Sequence, residues 1–183
     1  CLAAVEAACT LPFKDGMKRE RELFQELHDH PQRAAQIHIF FAEREAQKIP
    51  DIGPDVKPKQ IKSAAVIGAG TMGGGIAMNF ANVGIPVKVL ELDQAALDRG
   101  LGVVKKNYQT SVARGSTTQE AIDKALSLIS GTTSYDDIAD ADIVIEAVFE
   151  NMEIKKQVFA KLDQVMKPGA ILASNTSTLD IDE

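Results

Sequence analysis

Residues 64–91, AAVIGAGTMGGGIAMNFANVGIPVKVLE, restrict the fold of this chain more than any other stretch. A short apolar run leads into glycines at 68, 70 and 73, then a helix-like pattern, a second apolar run and the acid Glu91. That order predicts strand, turn, helix and strand in a parallel sheet. The three glycines have separate tasks. Gly68 permits the tight turn out of the strand, Gly70 lets backbone approach a pyrophosphate, and Gly73 lets helix and strand pack closely. Phosphate oxygens would then meet the unpaired N–H groups that open the helix. Glu91 stands 23 positions after Gly68, where such a unit places the carboxylate that binds the adenosine ribose. A 2′-phosphate would be repelled there, and residues 91–94 (ELDQ) hold no arginine to receive one. NAD is therefore expected over NADP, although FAD proteins use the same first turn.

Three regions differ in pattern. Residues 1–48 read as helical: Leu23, Phe24 and Leu27 form an apolar stripe, and Pro31 suits the first position of a further helix bearing Ile37, Ile39, Phe40 and Phe41. Residues 49–60 carry Pro50, Pro54 and Pro58, a density that interrupts helix and sheet and reads as a semi-extended linker. From 61 to 183 strands and helices alternate. Strands are expected near 63–67, 86–91, 129–133, 142–148 and 170–174, and helices near 71–83, after Asp93, through Leu128, and over 151–166. Asp93 can cap its helix, and Thr117 with Glu120 reads as a capping box for the next. The fold class expected is α/β: a Rossmann-type parallel sheet with helices on both faces, preceded by a helical segment.

Composition removes several functional classes. A net charge of −6 without a basic block argues against nucleic-acid binding. No apolar stretch approaches the roughly 18 residues of a membrane span. Cys1 and Cys9, if on one helix, stand about 12 Å apart along its axis, too far for a disulfide. Reduced thiols in a reducing compartment are expected.

Two later segments add to the site. Glu150 and Asn151 follow the fourth strand with Lys155 one turn on, and Ser174-Asn175-Thr176-Ser177 follows the fifth. Ligands of open parallel sheets collect outside the carboxyl ends of the strands, so both segments should face the glycine turn. With VIGAGTMGGGIA, IVIEAVFEN followed by Lys155, and ASNTSTL, residues 61–183 resemble the NAD-binding half of a 3-hydroxyacyl-CoA dehydrogenase. The segment ERELFQELHDHPQRAAQIHIFFAERE resembles the last helices of a crotonase-type enoyl-CoA hydratase domain. That order is similar to the multifunctional proteins of fatty-acid β-oxidation.

The resemblance implies oxidation of 3-hydroxyacyl-CoA to 3-ketoacyl-CoA with NAD as cofactor. It implies pyrophosphate contacts from Gly68, Ala69, Gly70, Thr71, Met72 and Gly73, and a ribose contact from Glu91, where many relatives have aspartate. Val148, Phe149, Glu150 and Lys155 would line the nicotinamide end, and Ser177 would lie beside the substrate's reacting oxygen as a catalytic and cofactor contact. Asn107 and Arg114 fall where the family holds the coenzyme A tail, with neither residue matching its usual serine and lysine.

Alcohol oxidation also needs a base for the hydroxyl proton. In the resembled family this is a histidine paired with glutamate beyond the fifth strand, whereas the histidines here are His28, His30 and His38. The expectation is a chain that binds NAD but turns over substrate negligibly alone, as an excised piece of something longer. No metal is assigned, because the histidine spacing is not the i, i+4 pair of a helical site. Two other readings stay open: a non-catalytic NAD sensor, and a 3-hydroxyisobutyrate-type dehydrogenase. Expected partners are the acyl-CoA substrate and either a thiolase subunit or a second copy. The apolar stripes of residues 1–48 should lead to disorder or self-association. A bacterial cytoplasm heads the expected compartments, with peroxisome and mitochondrial matrix retained.

Overall fold

In the computed structural model, which describes residues 1–53 and 55–182, the apolar runs become five short strands of one parallel sheet. Pro54 of the proline-rich stretch and Glu183 lie outside the described residues. The chain divides into two compact units, residues 1–58 and 59–183.

The first unit is helical: α1 (Leu2–Thr10), α2 (Phe13–Asp29) and α3 (Pro31–Ala46). α1 lies close on α2 at Gly16, where an added Cβ would sit 3.4 Å from the Ala7 carbonyl oxygen, and Ala7 is buried. Pro31 opens α3 as expected, and the imidazole of His30 caps it by accepting from the Gln32 N–H at 3.2 Å. Phe24, Leu27, Ile37, Phe40 and Phe41 are exposed. Cys1 and Cys9 are exposed free thiols.

The second unit holds β1 (Ala64–Ile67), α4 (Thr71–Asn82), β2 (Val87–Leu90), α5 (Gln94–Ala113), α6 (Gln119–Ser127), β3 (Ile129–Thr132), β4 (Ile143–Glu146), α7 (Met152–Val165) and β5 (Ile171–Ser174). The strand order is β3-β2-β1-β4-β5, every pairing parallel. β1 is buried along its whole length because both sides of the sheet are covered. Ala65 and Ile67 pack with Val158 and Leu162 of α7, while Ala64 and Val66 face the side of Ala77 from α4 and Leu97 from α5. A third cluster joins α4, α5 and α6 through Ala81, Val104, Tyr108, Ile122 and Ala125.

Asp142 ties the entry of the sheet together. Its carboxylate accepts from the Lys62 and Ser63 N–H groups at 2.7 and 3.2 Å and from Lys167 Nζ at 2.6 Å. The Lys167 bond, then that from Lys62, holds its carboxyl down to about 2. Asp93 caps α5 through Ala95 and Ala96. The capping box at Thr117 and Glu120 does not form: Thr118 is the cap, accepting from the Ala121 N–H at 3.2 Å. Two adjacent threonines leave that register open in the sequence, and the structure uses the second. A 3₁₀ turn at Tyr135–Ile138 was not expected; Ser134 caps it, and Ile138 plugs the core beside α7.

Candidate active site: a dinucleotide cleft at the carboxyl ends of the strands

Strand order places the cleft. The chain runs outward through β1, β2 and β3, then crosses back to β4 beside β1, so the loops leaving β1 and β4 diverge over a crevice. The β1 loop is the glycine turn. Gly68 has φ 98°, and a Cβ there would lie 2.7 Å from the Ala147 carbonyl oxygen. A Cβ on Gly73 would collide with the Gly68 carbonyl oxygen, which fixes the approach of α4 to β1. Gly70 differs: it begins α4 with no side-chain cap, and a Cβ there would meet nothing within 4 Å. The turn is closed on its packed side and open where the helix's first N–H groups emerge, a shape suited to an anion.

Glu91 leaves the end of β2 and bends over this turn. One carboxylate oxygen accepts from the Ala69 N–H at 2.8 Å, the other from the Leu92 N–H at 3.3 Å. A carboxylate has about four acceptor positions, so capacity remains for hydroxyls. A cavity of about 500 Å³ brings Gly68, Gly70, Thr71, Met72, Glu91, Val148 and Phe149 together. Phe149 is 85% exposed at its rim.

The β4 and β5 ends form a second cluster. Glu150 accepts through Oε1 from the Ser177 N–H at 3.0 Å, the Thr178 N–H at 3.3 Å and the Thr176 hydroxyl, while Oε2 lies 3.3 Å from Lys155 Nζ. Chiefly the Thr176 hydroxyl, then the Ser177 amide, lowers the Glu150 carboxyl to about 2. Lys155 is only 5% exposed and donates to both oxygens of Glu146 at 2.9 and 2.8 Å. Ser177 has its amide tied down and remains exposed. Asn107 and Arg114 stand apart from the cavity: both are exposed, and Arg114 ends a helix roughly 30 Å long whose start adjoins Glu91.

Because folding depresses the Glu150 pKa below its ordinary 4.5, its contribution is complete above that pH and is lost as pH falls toward 2. The stability gap between the natural chain and Glu150→Gln should therefore be open at neutral pH and close in acid. Denaturation of both proteins across that range checks it, and a gap unchanged in acid would contradict the assignment.

Three contributors were not singled out in the sequence. Glu146 carries a visible signal, an acid inside the apolar run DIVIEAV. Gly100 of α5 carries a weaker one: a Cβ there would strike Ala69, so α5 can press on the glycine turn only with glycine at this point. Tyr135 lines the cavity from the unexpected 3₁₀ turn.

A doubly wound parallel sheet whose first turn is an open, glycine-lined cradle under a carboxylate defines a dinucleotide-binding α/β protein. Residues 63–183 match the family described as 3-hydroxyacyl-CoA dehydrogenase, NAD binding domain. The whole chain aligns with the peroxisomal bifunctional enzyme of Danio rerio at 42% identity and with the peroxisomal fatty acid beta-oxidation multifunctional protein MFP2 of Arabidopsis thaliana at 38%, covering 25% of each. In structure it is similar to (S)-3-hydroxybutyryl-CoA dehydrogenase PaaH1 from Ralstonia eutropha, with 37% identity and TM-score 0.65 over 67% of this chain and 43% of that one. The chain belongs to the 3-hydroxyacyl-CoA dehydrogenase NAD-binding-domain family, and its cofactor is NAD. It spans about a quarter of the length of the curated relatives it matches. Among the described residues no helix is long and apolar enough to cross a membrane.

Proposed function

We propose that this chain holds NAD for the oxidation of 3-hydroxyacyl-CoA to 3-ketoacyl-CoA, within a multifunctional β-oxidation protein that also hydrates enoyl-CoA. The observation that carries the reading is Glu91, bonded to Ala69 of the glycine turn and lining the same cavity as the unobstructed Gly70. Bound NAD supplies the hydride acceptor. Gly68, Ala69, Gly70, Thr71, Met72 and Gly73 take the pyrophosphate and Glu91 the adenosine ribose. Val148, Phe149, Glu150 and Lys155 flank the nicotinamide end. Ser177, exposed beside Glu150, contacts the reacting oxygen of the substrate. Asn107 and Arg114 serve the coenzyme A tail from the α5 surface.

Residues 1–48 are the closing helices of a crotonase-type hydratase domain, a reading supported by the apolar side chains that α2 and α3 leave exposed. They pack on that domain, and a thiolase subunit or a second copy completes the assembly. The names of the relatives, peroxisomal in both cases, support a peroxisome over a bacterial cytoplasm.

Calorimetric titration with NAD and NADP tests the cofactor reading. NADP should bind at least about tenfold more weakly, because Glu91 repels a 2′-phosphate; equal affinities, or no binding of NAD, would sink it. Since residues 59–183 contain no histidine, this chain alone should form negligible NADH from 3-hydroxyacyl-CoA. Substantial NADH in a stopped assay would show that another group serves as base.

A further inference from the structure

We infer that Glu146 is a positioning residue for the nicotinamide end of the cofactor: its buried carboxylate sets Lys155, and through Lys155 sets Glu150 and the turn that presents Ser177. The inference rests on the NAD reading and extends it to a residue that does not itself line the cleft.

Glu146 ends β4 behind Ile143, Val144 and Ile145, and it is 0% exposed. A strand at the centre of a parallel sheet normally carries apolar residues there. Stability does not explain the exception, since well-packed apolar residues usually serve a core as well as a buried ion pair does or better. Its hydrogen bonds point to the reason. The carboxylate accepts from Lys155 Nζ on both oxygens, from the Val148 N–H at 2.7 Å and from Ser174 Oγ at 2.7 Å. These four hydrogen bonds, from three donor groups, match the acceptor capacity of a carboxylate, so Glu146 has nothing left for a ligand and acts through its neighbours.

One neighbour, Val148, borders the cleft, while Lys155 and Ser174 line a second cavity beside β5. Ser174 ends β5 three residues before Ser177. Lys155 spends its ammonium between Glu146 and Glu150, whose Oε1 gathers Thr176, Ser177 and Thr178. A carboxylate, an ammonium and a second carboxylate thus form a continuous tie from the sheet interior to the exposed serine. Without the inner carboxylate, Lys155 would pair with Glu150 alone and be free to turn toward it.

Calorimetry with NAD and with ADP, on the natural chain and on Glu146→Gln, separates positioning from general support. ADP reports only the glycine turn and Glu91. Glu146→Gln should weaken NAD about tenfold and leave ADP within about twofold, with faster amide exchange at Ser177 and Thr178 and none at Ala69. Unchanged NAD affinity, or equal loss for both ligands, overturns the inference. If Glu146→Gln does not fold, Ser174→Ala decides: it removes one bond from a half-buried hydroxyl and should weaken NAD severalfold with ADP unaffected, and unchanged NAD affinity or an equal loss for both ligands would refute the role. A natural chain that binds neither ligand would refute the NAD reading itself, a result distinct from either of these.

Discussion

Lys155→Met is expected to lower the unfolding free energy by about 3–5 kcal/mol. The substitution leaves the Glu146 carboxylate, 0% exposed, with amide and hydroxyl donors but no counter-charge. Only the Val148 N–H and Ser174 Oγ would remain. Coulomb attraction inside a protein is strong because little water screens it, and losing one partner exposes the desolvation penalty of the other. Denaturant titration should show the loss directly, with the thermal midpoint lower by roughly 10 °C. The double variant Glu146→Leu/Lys155→Met removes both charges together and should recover most of the stability while still binding NAD poorly. A single variant as stable as the natural chain would mean that the ion pair is not closed in solution.

Gly73→Ala should cost about 3 kcal/mol and take NAD binding with it. The added methyl would collide with the Gly68 carbonyl oxygen and press on Val66 Cγ1 at 3.3 Å. Neither neighbour can yield cheaply. The oxygen belongs to a residue already held at φ 98°, and Val66 is fully buried in β1. α4 must therefore back away from β1, and the turn opens with it. Gly70→Ala is the informative contrast. Its Cβ enters empty space at a φ of −70° that alanine adopts readily, so stability should change by no more than about 1 kcal/mol. NAD affinity should still fall at least about tenfold, because the methyl occupies the space a pyrophosphate needs. Denaturation and calorimetry on the two variants would separate a packing glycine from a ligand glycine. Equal stability losses would show that the distinction is false.

The lysine and the glycine contrast also mark how far the residues could be read unaided. The backbone jobs of Gly68 and Gly73 were legible because each follows from local geometry: a positive φ and a helix–strand contact, with Gly70 left unobstructed between them, lie within six residues. The strand ladder was legible for a similar reason, since apolar runs and helical spacing are short-range patterns. The Asp93 and Pro31 helix starts were equally local. The Thr117 capping box failed by one residue, because Thr117 and Thr118 offer the same chemistry and only the packing of Ile122 and Ala125 selects the register.

Lys155 shows the other side. From the residues it was a helix position one turn beyond Glu150 and Asn151, and only the fold shows it buried between Glu146 and Glu150. Glu146 was passed over as part of an apolar strand, since its significance depends on Ser174 being 28 positions away in sequence and one strand away in space. By itself the sequence determined a parallel sheet, an open glycine turn and the carboxylate beside it, because turn geometry and side-chain periodicity act over a few residues. Tertiary structure alone decided which charges are shared. Whether an acid stands free at a cleft or locked to a lysine depends on strands brought together by crossovers, and on the low dielectric that their packing creates.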